Sequence, residues 1–161
     1  GDGRRKYIRL DHRPLASLAV GGHEPRGEML CLCTHNSARS QLAAAVWSNR
    51  VGQPASSAGT HPADRIDRRA IAAARRAGVP LADAQPRPIG TIGRGVQVVT
   101  VCDRAHEELE PGPTWWHWSI PDPVAVGSAG AFDRVIEELE QRIALVAPAT
   151  GHDHDTRSHG R

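Results

Sequence analysis

The sequence predicts an α/β domain in which helices cover both faces of a parallel sheet. Residues 29–32 are continuously apolar, as expected of a central parallel strand that is buried on both faces. Residues 39–50 then change to helical spacing. The segment 96–102 is rich in β-branched residues and precedes the clearest amphipathic helix, which is predicted over 129–146. Strands and helices that alternate in this way are typical of parallel sheets.

The other elements are predicted from shorter signals. A second strand is expected to end at 57–59, and a short tryptophan-rich strand is expected at 115–119. Pro62 is predicted to begin the second helix and Gly78 to end it. The predicted buried stripe of that helix comprises Ile66, Ala70, Ile71, Ala73, Ala74 and Ala77. The apolar positions of the last helix are Phe132, Val135, Ile136, Leu139, Ile143 and Leu145.

The two ends of the chain are predicted to lie outside the domain, which is expected to span 28–147. Residues 1–27 are interpreted as a leader or linker, and 148–161 as a disordered polar tail. The segment 3–10 followed by 14–18 resembles the last wing strand and closing helix of ArsR-type winged-helix repressors; a disordered basic leader is the alternative. Since the chain begins Gly-Asp-Gly and its only methionine is Met29, we expect a processed, truncated or recombinant piece.

Composition excludes several classes of protein. A formal net charge of +2 is too small to indicate a nucleic-acid or membrane partner. Three cysteines do not form a secreted disulfide framework. The sequence contains neither a signal peptide nor an apolar run near the ~20 residues of a membrane span. A cytoplasmic protein is therefore predicted.

The most informative segment is 33–41, Cys-Thr-His-Asn-Ser-Ala-Arg-Ser-Gln, at the predicted junction between strand and helix. A tight loop that enters a helix directs several N–H groups at one point, where a tetrahedral oxyanion can bind. Arg39 can close this cradle with a bidentate contact. The same positive potential is expected to lower the pKa of the Cys33 thiol and so activate it as a nucleophile. The alternative is a buried cysteine that ends a strand and a solvated arginine on a helix.

The segment 33–41 resembles the signature loop of the low-molecular-weight phosphatase superfamily, in the version found in its arsenate reductases. Three further segments match landmarks of that family in order: 57–60 (Ser-Ala-Gly-Thr), 99–103 (Val-Thr-Val-Cys-Asp) and 118–123 (Trp-Ser-Ile-Pro-Asp-Pro). The resemblance covers about 28–147. It implies a four-stranded parallel sheet flanked by helices and an enzyme that acts on arsenate or phosphate. It implies no metal or organic cofactor.

The resemblance also implies a role for each residue of the site. Cys33 would be the nucleophile, and Asp122 the general acid that protonates the departing oxygen. Asn36 would hold the loop in shape, and Ser40 would form a hydrogen bond with the thiolate. The residues expected to bind the oxyanion are Thr34, His35, Asn36, Ser37, Ala38, Arg39 and Ser40. For Asp122 the alternative is a structural Asp-Pro turn.

Arsenate reduction needs a second thiol, whereas phosphatase activity needs only hydrolysis. Cys102 ends the third predicted strand and is expected at the same sheet edge as Cys33. In thioredoxin-linked relatives a cysteine at this place is the first resolving thiol. A small buried core residue is the alternative for Cys102, and Cys31 is interpreted as core. These relatives carry another cysteine a few residues later, but 104–111 has none. The alternatives are a disulfide between Cys33 and Cys102, or an external thiol such as mycothiol with a glutaredoxin-like partner.

Two alternative functions follow from the same residues. A tyrosine phosphatase would need aromatic walls, for which Trp115, Trp116 and Trp118 are candidates, although core packing is also expected of them. If 1–20 is the end of a winged helix, the chain is the enzymatic part of a fused ArsR-type arsenic-responsive regulator, and it would bind DNA only with the upstream domain. The histidines at positions 61, 106 and 117 lack metal-ligand spacing, and those of the tail are interpreted as solvated.

Overall fold

The computed structural model describes residues 27–79, 81 and 84–147. The predicted winged-helix remnant and polar tail therefore lie outside the described residues. Strands and helices alternate along the described part. The strands are β1 (Met29–Cys33), β2 (Ala55–Gly59), β3 (Gln97–Thr100) and β4 (Trp116–His117). The helices are α1 (Arg39–Val51), α2 (Arg68–Arg76), α3 (Asp103–Leu109), α4 (Pro123–Val126) and α5 (Ala129–Val146).

The four strands form one parallel sheet in the order β2-β1-β3-β4, which confirms the predicted fold class. β1 is a central strand, paired with β2 on one side and β3 on the other. Cys33 lies opposite Gly59, and Leu32 lies between Ala58 and Thr100. The carboxyl ends of the three longer strands therefore meet at one edge, where ligands bind in open α/β sheets.

The period-two alternation of β1 divides the core between the two faces of the sheet. Cys31 and Cys33 belong to the large cluster, to which α1, α2 and α5 contribute most of their buried side chains. Leu32 belongs to a smaller cluster with Ala58 and Val98 on neighbouring strands, covered in part by the segment 89–96. None of the described helices is long and apolar enough to span a membrane.

The second helix differs from its prediction. α2 begins at Arg68 rather than Pro62, and the Asp67 side chain caps it by accepting a hydrogen bond from the Arg69 amide at 2.8 Å. The expected burial of Ile71 was wrong, because this side chain is 45% exposed. The stripe that packs consists of the fully buried alanines 70, 73 and 74, one helical turn apart, and Ile71 lies about 100° around the helix from Ala70.

Two helices were not predicted. α3 follows β3 almost directly, so that β3 ends at Thr100 and Cys102 becomes the N-cap of α3 instead of the last residue of the strand. α4 is a single turn that begins at Pro123 of the Asp-Pro dipeptide, with Asp122 as its N-cap. The last helix matches its prediction except at Leu145, which is 41% exposed.

Candidate active site

The loop 34–38 connects the last residue of β1, Cys33, to the first residue of α1, Arg39. The loop lies directly against Gly59 at the end of β2. A Cβ atom at Gly59 would come within 2.6 Å of the Thr34 carbonyl oxygen and 3.0 Å of the Asn36 amide nitrogen. Position 59 therefore has to be glycine if the loop is to keep this course.

The carbonyl groups of the loop are held from outside. Backbone amides of the following segment donate to three of them: His61 to Thr34 at 2.8 Å, Ala63 to His35 at 2.9 Å, and Asp67 to Ser37 at 2.9 Å. A fourth, that of Asn36, accepts from the Gln41 side chain at 3.1 Å. The described peptide bonds are trans, and in a trans peptide N–H points opposite to C=O. The amides of residues 35–38 are thus directed to the inner side of the loop.

Asn36 holds the centre of the loop. Its φ of 50° places it in the left-handed region, which asparagine tolerates better than most residues. Its side-chain Nδ2 donates to Ser40 Oγ at 2.8 Å. Its Oδ1 accepts from Gln41 Nε2 at 3.1 Å and from the Arg87 amide at 2.9 Å. The conformation of the loop therefore depends on α1 and on a segment about 50 residues away in the sequence.

The Cys33 sulfur lies inside this arrangement. Ser40 Oγ is 3.0 Å from Sγ, and the Asn36 amide donates to Sγ at 3.2 Å. Burial is the largest influence on this thiol and raises its pKa, with a smaller increase from Cys102; the hydroxyl and amide of Ser40 and the charge of Arg39 lower it. The resulting pKa is raised above that of a free cysteine, so the predicted lowering was wrong. The motif identified the stabilising donors, but it carried no information on how deeply the sulfur is buried.

Arg39 and Asp122 meet beside the loop. The guanidinium Nη1 of Arg39 donates to the Ile120 carbonyl oxygen at 3.1 Å, and Nη2 lies 3.5 Å from Asp122 Oδ2. The other carboxylate oxygen, Oδ1, accepts from the Val124 amide at 3.1 Å and so caps α4. Asp122 thus has one oxygen engaged in structure and the other directed at the arginine of the loop. Both interpretations of this residue, turn residue and candidate acid, are compatible with this geometry.

Cys102 is buried at the same edge of the sheet. Its Sγ lies 3.4 Å from Thr34 Oγ1, on the residue that follows Cys33, and accepts from the Ala105 amide at 3.4 Å. Cys31 is buried within β1, where burial raises the pKa of its thiol. All three cysteines are free thiols.

The tryptophans after β3 pack into the core. Trp118 is buried and stacks on Trp116, with ring centroids 6.2 Å apart. Trp116 in turn meets Trp47 of α1 edge-on at 6.5 Å. Trp115 packs against the smaller cluster on the other face of the sheet. Trp116 and Trp118 therefore stabilise β4 against α1, as the core interpretation of the sequence expected.

Two histidines meet near Cys102, although their spacing in the sequence gave no signal. The rings of His106 and His117 stack with centroids 4.0 Å apart, and each Nδ1 lies within 2.9 Å of Thr100 Oγ1. Burial and the neighbouring His117 lower the pKa of His106. Among residues 27–79, 81 and 84–147, no group of three or more histidine, cysteine and acidic side chains is arranged to hold a metal ion.

The structure places every residue predicted for the site in or beside one loop. Among these residues, His35 is exposed to solvent. Three contributors were missed by the sequence reasoning. Gln41 belongs to the motif, but the resemblance implies no role for it, and Gly59 is part of a family landmark without an implied role. Arg87 contributes a backbone amide, for which a sequence provides no signal.

Comparison with known proteins finds solved structures of similar fold. The chain is similar to the solved arsenate reductase of Archaeoglobus fulgidus, with 28% identity over 74% of this chain and 99% of that one, at a TM-score of 0.61. A thioredoxin-dependent arsenate reductase of Corynebacterium glutamicum is 27% identical over 80% of this chain and 63% of its own, at a TM-score of 0.60. The YwlE arginine phosphatase of Geobacillus stearothermophilus shares the fold at 22% identity over 76% and 91% of the two chains, with a TM-score of 0.63.

No curated protein sequence matches the chain significantly. Residues 28–154, however, match the family described as low molecular weight phosphotyrosine protein phosphatase. This match includes the loop after β1, the resolving-thiol candidate and the Asp-Pro segment. The chain therefore belongs to the low molecular weight phosphotyrosine protein phosphatase family.

Proposed function

We propose that this protein is a thiol-dependent arsenate reductase in which Cys33 is the nucleophile. The observation that carries the proposal is the position of Cys102, whose sulfur lies against Thr34 in the oxyanion loop. Hydrolysis of a phosphate ester needs no second thiol, whereas reduction of arsenate does. The arsenate reductases of Archaeoglobus and Corynebacterium, at 28% and 27% identity, provide independent support.

In the first step, the inward amides of residues 35–38 and the Arg39 guanidinium bind the oxyanion. The Cys33 thiolate attacks arsenic and forms a sulfur–arsenic bond. One arsenate oxygen departs as water after accepting a proton from Asp122, whose Oδ2 faces Arg39 across 3.5 Å. Arg39 compensates the negative charge of the substrate and then that of the carboxylate left when Asp122 has given up its proton.

In the second step, the Cys102 thiolate attacks the Cys33 sulfur. A disulfide forms between the two cysteines, and the electron pair of the sulfur–arsenic bond passes to arsenic. Arsenic is thereby reduced from the +5 to the +3 state and leaves as arsenite, while two thiols are oxidised to one disulfide. An external thiol that attacks Cys33 instead would give the same arsenite and a mixed disulfide.

The oxidised enzyme then needs an external reductant. The remaining cysteine, Cys31, is buried in the centre of the sheet and unsuited to relay the disulfide outward. We propose that thioredoxin, or mycothiol with a glutaredoxin-like partner, restores the thiols, and that the protein acts in the cytoplasm. Binding to DNA would require an upstream winged-helix domain, and the chain would then be the enzymatic part of a fused ArsR-type arsenic-responsive regulator.

Phosphatase activity is the second candidate, because the family match and the Geobacillus neighbour are phosphatases. Cys33, Arg39 and Asp122 would keep their roles, and water would hydrolyse the cysteinyl-phosphate. The packing of Trp116 and Trp118 into the core speaks against a phosphotyrosine substrate, since it removes the expected aromatic wall.

Turnover of arsenate and of para-nitrophenyl phosphate by the purified protein distinguishes the two activities. Thioredoxin and mycothiol systems are supplied in parallel assays. We expect arsenite release that depends on one of the two thiol systems. Hydrolysis of the phosphate ester without any arsenite would refute the reductase proposal and return Cys102 to the status of a core residue.

A further inference from the structure

Gln41 is a buried polar residue in the first turn of α1, and its contacts are dominated by acceptors. Its Nε2 lies 3.1 Å from each of three oxygens: the main-chain carbonyls of Asn36 and Gln85 and the Asn36 side-chain Oδ1. The two carbonyl oxygens can only accept hydrogen bonds. The Nε2 amino group of Gln41, and not its Oε1, therefore faces these oxygens.

This contact helps to fix the direction of the side-chain hydrogen bonds that lead through Asn36 and Ser40 to the nucleophile. Asn36 Oδ1 meets Gln41 Nε2 and the Arg87 amide, both of which can only donate, so it has to be the acceptor. Asn36 Nδ2 consequently donates to Ser40 Oγ at 2.8 Å. Since Ser40 Oγ already accepts there, its own proton is available for the Cys33 sulfur at 3.0 Å.

The segment that supplies the second donor is itself anchored to β2. The Gly59 amide donates to the Arg87 carbonyl oxygen at 2.9 Å, and the Arg87 Nε donates to the Ser57 carbonyl oxygen at 2.7 Å. Arg87 therefore contributes through its backbone, which a side-chain substitution would not remove. Gln41 is the member of this donor pair that can be tested by a single substitution.

We propose that Gln41 is a positioning residue, which aligns Asn36 and Ser40 so that the Ser40 hydroxyl proton points at the Cys33 sulfur and stabilises its thiolate. Without the Gln41 donor, Asn36 Oδ1 keeps only the Arg87 amide as a donor, and the orientation of the Asn36 side chain is less firmly fixed. Ser40 could then direct its proton at Asn36 Oδ1 instead of the sulfur. The proposal rests on the role of Cys33 as the nucleophile, but not on which oxyanion Cys33 attacks.

The test substitutes Gln41→Met, which keeps the length of the side chain and removes its donors. The readout is the pH dependence of alkylation of Cys33 by iodoacetamide, followed by mass spectrometry of the modified peptide. This readout needs no arsenate, so its result is independent of whether the reductase proposal holds. The other titratable groups beside the sulfur, namely Arg39, Cys102 and Cys31, are the same in all variants.

Leu42→Val is the matched control. Leu42 is fully buried beside Gln41 on α1, and its truncation costs stability without removing a hydrogen bond of the loop. For Gln41→Met we expect the alkylation midpoint to move to higher pH and the rate at pH 7 to fall about 2- to 12-fold, the equivalent of one neutral hydrogen bond. For Leu42→Val we expect a lower melting temperature and an unchanged midpoint.

A Gln41→Met protein with the wild-type alkylation midpoint would overturn the proposal, since the direction of the hydrogen bonds between Asn36, Ser40 and Cys33 would then not depend on Gln41. Equal shifts in Gln41→Met and Leu42→Val would overturn it as well, because loss of packing alone would explain them. If Gln41→Met does not fold, Gln41→Leu replaces it with the same two criteria. A wild-type protein whose Cys33 is never alkylated would instead contradict the role of Cys33 itself.

Discussion

Replacement of Asp122 by asparagine separates the two roles that this residue could have. Asparagine keeps an oxygen that can accept the 3.1 Å hydrogen bond from the Val124 amide, so α4 retains its cap. It removes the ionisable proton and the charge that faces Arg39 at 3.5 Å. The substitution is therefore nearly neutral for the fold and selective for acid catalysis.

The expected magnitudes follow from the geometry. Loss of a positioned general acid lowers the rate about 10²–10⁴-fold. The ion pair with Arg39 is long and partly exposed, with 34% of the Asp122 side chain accessible, so its loss changes stability by less than about 1 kcal/mol. Removal of a negative charge from beside the anion leaves binding unchanged or slightly tighter.

The assay measures kcat and KM for arsenate together with the melting temperature. We expect kcat to fall at least about 100-fold, with KM and the melting temperature close to wild type. Asp122→Ala provides the comparison, since it removes both the acid and the cap. Wild-type kcat in Asp122→Asn would refute the assignment of Asp122 as the acid and leave it a turn residue.

Three further predictions concern the loop and the second thiol. Ser40→Ala removes a hydrogen bond that lowers the pKa of Cys33, so the thiol pKa rises further, the thiolate forms only at higher pH, and alkylation at pH 7 slows about tenfold or more. Gly59→Ala places a methyl group 2.6 Å from a carbonyl oxygen of the loop; we expect a loss of about 1–3 kcal/mol in urea unfolding and little activity, whereas Gly90→Ala, with open space around its Cβ, is the harmless control. Without added thiol, each wild-type enzyme molecule is expected to release one arsenite, and Cys102→Ala is expected to release none. Undiminished release by Cys102→Ala would show that another group supplies the second thiol.

The fold was largely predictable because its main signals are local. The apolar run of β1 and the amphipathic pattern of α5 each lie within one segment, and each matches its prediction closely. The start of α2 could not be predicted in this way. Residues 60–67 form hydrogen bonds with the loop after β1 instead of continuing into helix, and such a contact between distant segments leaves no mark on the local pattern.

The same distinction between local signals and contacts of distant segments decides which parts of the site could be predicted. The loop residues lie within one stretch of nine, so their type and order were sufficient to place them. The Arg87 amide and the close approach of Gly59 come from other segments and became visible only when the sheet was assembled. The pKa of Cys33 was predicted in the wrong direction for a related reason, because the depth of burial is a property of the whole core.

The raised pKa of Cys33 contributes to how activity depends on pH. The thiolate is the reactive form, and its fraction grows as the pH rises towards the folded-state pKa. We therefore expect turnover to increase with pH from neutral to alkaline conditions. A rate that is constant from pH 6 to pH 9 would mean that the bound anion or another group has already removed the proton.

The most direct test of the central claim is turnover by Cys33→Ser, compared with wild type under the same thiol supply. Serine keeps the shape of the loop and its amides, so phosphate should still bind, which calorimetry measures. We expect arsenite release and phosphate-ester hydrolysis both to fall to background while binding of the anion persists. Retained turnover of either substrate would show that Cys33 is not the nucleophile.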